Sequence, residues 1–223
     1  LLCISQLVVY AKMPLPPEYA KKSITSVDLR FFKVKQFWLG AAMLFFYIST
    51  EYAIVGWLVT YFQDIGVLDP NQSQMMNSLL WLVIFLGRMV GAVITGKLSR
   101  SKLLLLDGVG LFSFFLVMFF SRTPAPIILG LVGVGFFMAT IYPTAFAFGS
   151  DCIRGNDLGC SVMIFTGSAG GILTPAMVGF VAERAGIRAG MGLIVVFAAL
   201  LLFSILLSVF SVRTAQALPE KGE

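Results

Sequence analysis

Apolar runs of about 18 residues or more recur along this chain, and no other feature restricts its fold as strongly. At 1.5 Å of rise per residue, about 20 apolar residues in a helix cross the roughly 30 Å hydrocarbon layer of a bilayer. Within that layer every backbone N–H and C=O must be satisfied inside the protein, which makes each run a helix. Six spans are predicted, at about Phe37–Phe62, Met76–Gly96, Leu103–Phe120, Ala125–Gly149, Gly159–Ala182 and Gly190–Val212. Only 12% of the 223 residues are charged, against about 25% in a typical soluble domain. With a mean hydropathy of +0.93, too little polar surface remains to clothe a water-soluble globule. The expected fold class is all-α integral membrane, with the lipid bilayer as solvent.

The remainder divides around those spans. Residues 1–11 open with the apolar run Leu1–Tyr10, which is too short to cross and lacks a signal peptide's basic start or cleavage site. It reads as the truncated end of a preceding transmembrane helix. Residues 12–35 form a polar central loop with Pro14, Pro16, Pro17 and six Lys/Arg. Residues 36–212 are the six-helix domain, and 213–223 a short polar tail.

The net charge of +5 is a topology signal rather than a nucleic-acid surface, because it sits in short loops. Twelve Lys/Arg fall on the side of the 12–35 loop, the Lys97–Lys102 turn, the Ser150–Leu158 loop and the tail. Three fall on the other side, at Arg122, Arg184 and Arg188. The basic side is expected in the cytoplasm, with both ends of the unit facing inward in the cell membrane.

Chemistry is narrowed by what the chain lacks. It has no histidine, and Cys3, Cys152 and Cys160 have no metal-ligand spacing. No Ser or Cys stands beside a plausible base, so neither a metal site, an organic cofactor nor a catalytic residue is expected. A channel would need a ring of filter groups, which the sequence does not suggest.

The spans differ in kind. The third and sixth are nearly uniform in Leu, Phe, Val and Ile, whereas the first, second, fourth and fifth carry the polar side chains, glycines and mid-span prolines. Polar groups in hydrocarbon turn toward protein or a water-filled cavity. Four cavity helices backed by two scaffold helices are therefore expected, arranged as two three-helix repeats. Phe85-x-Gly87-x-x-x-Gly91 in the second span echoes Phe165-x-Gly167-x-x-x-Gly171 in the fifth, and the two cross in opposite directions, as an inverted repeat requires.

Glu51 is the sharpest individual signal. It lies near the centre of the first span, where a charge costs about 2.5–3.5 kcal/mol. It is either a structural glutamate bonded to a neighbouring helix or a carboxylate that loads a coupling proton or holds substrate hydroxyls. Arg88, in FLGRMVG of the second span, differs from it in depth by roughly 5 Å. Arg88 either pairs with Glu51 or holds a substrate. Tyr47 is one turn from Glu51 and is expected on its face. Tyr142 precedes Pro143 in the fourth span, where the missing N–H opens the helix, as at a gate or a simple bend. Gly167, Gly170, Gly171 and Pro175 make the fifth span thin and deformable, suited to close helix packing. Trp57 and Trp81 are either interfacial or cavity-lining, and the aromatic belts favour the first. Asp107 is expected to pair with Arg100 or Lys102.

Six spans after a long basic loop, with the turn Gly96-Lys97-Leu98-Ser99-Arg100-Ser101-Lys102 between the second and third, resemble the C-terminal half of a major facilitator superfamily transporter. The turn stands where that superfamily has Gly-x-x-x-Asp-Arg-x-Gly-Arg; here Arg100 occupies the acidic position and the second glycine is missing. FFYISTEYAIVGWLVTYF, IYPTAFAFG and GSAGGILTPAMVGFVAERAGI are similar to the fucose–proton symporter-like branch. The resemblance covers about residues 30–212 and carries Tyr47, Glu51, Trp57, Arg88, Tyr142, Pro143 and Pro175. It implies a secondary transporter of a small-molecule substrate, a proton as coupling ion, and a six-helix N-terminal half as partner. Sugar uptake is the implied activity, with drug or metabolite export, or a non-transporting sensor, as alternatives.

Overall fold

The structure is a computed structural model that describes Ala11, Met13, residues 29–153 and residues 156–217. The expected helix stub, most of the 12–35 loop and the end of the tail lie outside the described residues. Six long helices follow one another: α1 (Lys35–Asp64), α2 (Pro70–Ile94), α3 (Arg100–Phe120), α4 (Pro124–Ser150), α5 (Asp157–Ala185) and α6 (Ile187–Ala217). All six are long and apolar enough to cross a membrane, and the described residues contain no strand. The chain is a multi-pass, all-helical membrane protein.

Each helix begins before the predicted apolar run, because hydropathy marks only the part in hydrocarbon while the polar ends continue to coil. The difference is largest at α2, which begins at Pro70 rather than Met76. Asp69 caps it: its carboxylate accepts from the Gln72 N–H at 2.7 Å, and the Gln72 side chain accepts from the Asp69 N–H at 3.2 Å. Pro70 fits the first turn because no helical partner is required of its nitrogen. The turn between α5 and α6 is made by Gly186, whose φ of 84° lies in the region that side chains disfavour.

The bundle is organised around α1 and α4. The former packs against α5 and α6, the latter against α2 and α3, and the two cross one another. Exchanging the two trios maps each of these pairings onto another, so the unit has the internal symmetry that the Phe-x-Gly-x-x-x-Gly echo suggested. The glycines show it in detail. Gly87 and Gly91 lie against Ala139 and Thr140 of α4, while Gly167 and Gly171 lie against Leu44, Ile48 and Tyr52 of α1. In both helices the echo's phenylalanine, Phe85 or Phe165, is exposed.

At one end α1 and α4 touch backbone to backbone. A Cβ added to Gly40 would stand 2.6 Å from the Gly149 Cα. Gly40→Val is therefore expected to destabilise the unit by about 1–3 kcal/mol. Its detergent-solubilised melting temperature should fall; an unchanged value would mean that the two helices do not meet there.

Two expected placements are corrected. Asp107 pairs with neither Arg100 nor Lys102: it is buried against α4, where it accepts a hydrogen bond from the Thr140 hydroxyl. Arg100 instead forms a salt bridge with Asp151, because the short turn before α3 sets it beside the end of α4. Trp57 does not stand free in an interfacial belt. Its indole N–H donates to the Pro175 carbonyl at 3.0 Å, and its ring fills the space over Gly179. Two of the three arginines that run against the charge bias have aromatic seats, Arg184 at 3.5 Å from the Phe180 ring centre and Arg188 at 5.8 Å from that of Phe119.

Candidate solute cavity

Glu51 faces a cavity of about 480 Å³ lined by Ile48 and Tyr52 of α1, Trp81 and Arg88 of α2, Tyr142 of α4, and Ser168, Gly171 and Ile172 of α5. Its walls come from the first, second, fourth and fifth helices, the four that carry polar groups in the sequence. The apolar α3 and α6 contribute nothing to the lining.

Glu51 reaches the cavity from the most enclosed helix and is only 8% exposed. Tyr47, one turn away, is fully buried; its hydroxyl donates to the Met138 carbonyl at 3.1 Å and neighbours the Glu51 carboxyl. Tyr47 thus ties α1 to α4 behind the cavity and does not line it. Its ring lies 6.2 Å from that of Tyr142, which stacks in turn on Phe146.

Arg88 enters from α2. It and Glu51 share the cavity, but no salt bridge joins them; among the described residues that contact is made by Arg100 and Asp151. The guanidinium and the carboxylate face one space with hydrogen-bonding capacity left over. Arg88 also lines a second cavity, of about 470 Å³, between α2 and α4, together with Thr95, Arg100, Thr140, Pro143 and Thr144 among others. It therefore stands as a wall common to both.

Of the other expected residues, Gly171 lines the first cavity and Pro143 the second. Pro143 has no N–H to give the Ala139 carbonyl, and Ala139 lines that same cavity. Pro175 lines neither; its carbonyl receives Trp57. Of the two placements open for Trp81 the structure takes the cavity wall, whereas Tyr52 and Ser168 were not legible as lining residues. An aromatic beside a carboxylate is unremarkable in a span this rich in Phe and Tyr. The Ser168 hydroxyl donates to its own helix at the Ile164 carbonyl, which leaves its oxygen able to accept from a solute.

No family model matches the chain. The structure superposes on the major facilitator superfamily transporter FucP, crystallised in the outward conformation, with a TM-score of 0.73 over 93% of this chain, 51% of that chain and 20% sequence identity. The fold is that of half a major facilitator transporter. Two Helicobacter pylori proteins, provisionally named glucose/galactose transporters, are similar in sequence. One is 28% identical over 183 residues and the other, from a second strain, 29% identical over 179. These matches take in 82% and 79% of this chain but 44% and 43% of the relatives, so the chain spans less than half their length. All of these relatives are described as transporters and none as an enzyme.

Proposed function

We propose that the whole protein takes up a small neutral sugar together with a proton. This six-helix unit would rock against a second six-helix half around the cavity, in the cell membrane, with both of its ends in the cytoplasm. The reading rests on one observation above all: a carboxylate, a guanidinium, two tyrosines and a tryptophan from three helices line a single open cavity of an apolar bundle. Sugar hydroxyls donate to Glu51 and Ser168 and accept from Arg88. The C–H faces of a pyranose suit the rings of Trp81 and Tyr142. A neutral ring adds no charge to a site already holding one of each sign. The names of the similar proteins favour the same substrate class.

The test is uptake of labelled glucose and galactose by the complete protein in proteoliposomes. Uptake should saturate, rise with an acidic exterior and collapse with a protonophore. If neither sugar moves, the substrate class is wrong; if the sugars move without regard to pH, the coupling is wrong. Trp81→Ala should weaken apparent sugar affinity about three- to tenfold while changing the maximal rate little, as loss of one aromatic face predicts. An unaltered affinity would remove Trp81 from the site.

A further inference from the structure

We infer that Asp107 is a second proton-carrying carboxylate of the transport cycle, connected to the translocation space through Thr140; this rests on the transporter reading above.

Asp107 stands two turns into α3, a helix otherwise built of apolar and small residues beyond its basic first turn. It is 5% exposed, and Thr140 of α4 donates a hydrogen bond to one of its carboxyl oxygens. Among the described side chains no cation pairs with it. The α4 helix carries no charged residue, and its one titratable group is Tyr142. On α6 the described side chains include one charged group, Arg188 in the first turn, which sits over Phe119 at the far end of α3. On α3 itself Arg100 is engaged by Asp151, and Lys102 is five residues away, on a different face of the helix. Arg88 lines the first cavity with Glu51 and the second with Thr140, and forms no salt bridge with Asp107. A buried carboxyl beside a hydroxyl that both donates and accepts is placed to receive and return a proton.

The proton has a route. Thr140 lines the second cavity, and so does Arg88, which lines the first with Glu51. Asp107 is therefore one hydroxyl removed from a space that adjoins the sugar cavity. A hydroxyl both donates and accepts, so Thr140 can pass a proton inward from cavity water and give up its own to the carboxylate, each bond formed replacing one broken. The geometry places Glu51 in the wall of the first cavity and Asp107 one hydroxyl behind the second, with Arg88 lining both. A proton taken up at one carboxylate and released beyond the other crosses the unit in two stages.

A purely structural Asp107 would only tie α3 to α4, and Asp107→Asn separates the two roles. The amide keeps an oxygen that accepts from Thr140 but carries no proton through the cycle. The first measurement is infrared difference spectroscopy of the purified protein between acid and alkaline buffer, which reads carboxyl protonation without any sugar. Asp107→Asn should remove one protonated-carboxyl band that Glu51→Gln leaves in place, and Thr140→Val should shift that band. The second is transport by the complete protein in proteoliposomes. Asp107→Asn should keep labelled glucose exchange within about twofold of the parent and flatten the pH dependence of net uptake.

If Asp107→Asn removes no pH-sensitive band, the inference is overturned whatever the protein transports. It is overturned equally if net uptake keeps its pH profile. A parent protein that shows the band but moves neither glucose nor galactose would instead fault the sugar reading and leave the carboxylate in place.

Discussion

Glu51→Gln should abolish proton-driven accumulation of sugar while leaving sugar exchange intact. The amide has nearly the shape of the carboxyl, keeps an oxygen for a solute hydroxyl and cannot carry a proton. Exchange needs only that the loaded carrier reorient, whereas accumulation needs the proton and the sugar to travel together. One pH unit is worth about 1.4 kcal/mol, so a one-proton carrier builds at most about a tenfold sugar ratio across such a gradient. In the variant that ratio should return to about one. Parallel measurement of steady-state accumulation and of counterflow at equal pH makes the comparison. Loss of both activities would show that Glu51 binds sugar or supports the fold; retention of both would place coupling elsewhere in the protein.

Arg88→Leu is expected to be the most damaging single change. Leucine suits the hydrocarbon, so helix insertion should not suffer, yet the cavity loses its cation and Glu51 faces that space without one. A hydrogen bond to a charged group contributes about 1.5–3 kcal/mol, and its loss should weaken sugar binding by roughly 10- to 150-fold. Arg88→Lys preserves the charge but not the planar fork, and should recover part of the affinity. Equilibrium binding of labelled glucose to purified protein reads the effect directly. Glu51→Gln combined with Arg88→Leu removes both charges. If the two groups act on each other, the double variant should bind more tightly than the product of the single losses predicts. Simple multiplication of the losses would show that each contacts the solute independently.

Much of the unit was legible residue by residue. Whether a span reads FFYISTEYAIVGW or LIVVFAALLLFSILL says whether it has polar groups to hide, and the four spans that do are the four around the cavity. Glu51 and Arg88 stood out for the same reason, since a charge among apolar neighbours is conspicuous and costly. The helix ends were less legible, because the cap at Asp69 lies in polar sequence that hydropathy passes over.

The pairings were not legible at all. Asp107 sits close in sequence to Arg100 and Lys102, and proximity suggested a partner there; the rotation of α3 turned it to Thr140 instead. Trp57 looked like a belt residue until α5 placed the Pro175 carbonyl beside it.

The sequence by itself determined the solvent, the number of crossings and which helices must face a polar interior. Those properties are set by the transfer cost of each side chain into hydrocarbon, and that cost is local. Only the tertiary structure decided that Arg88 separates two cavities, that Tyr47 braces Glu51 from behind and that Asp107 lies within reach of the second cavity. These depend on how each helix is rotated and shifted against its neighbours. In an apolar medium that choice is made by close packing of small residues such as Gly40, Gly149 and Gly171, which no single span encodes alone.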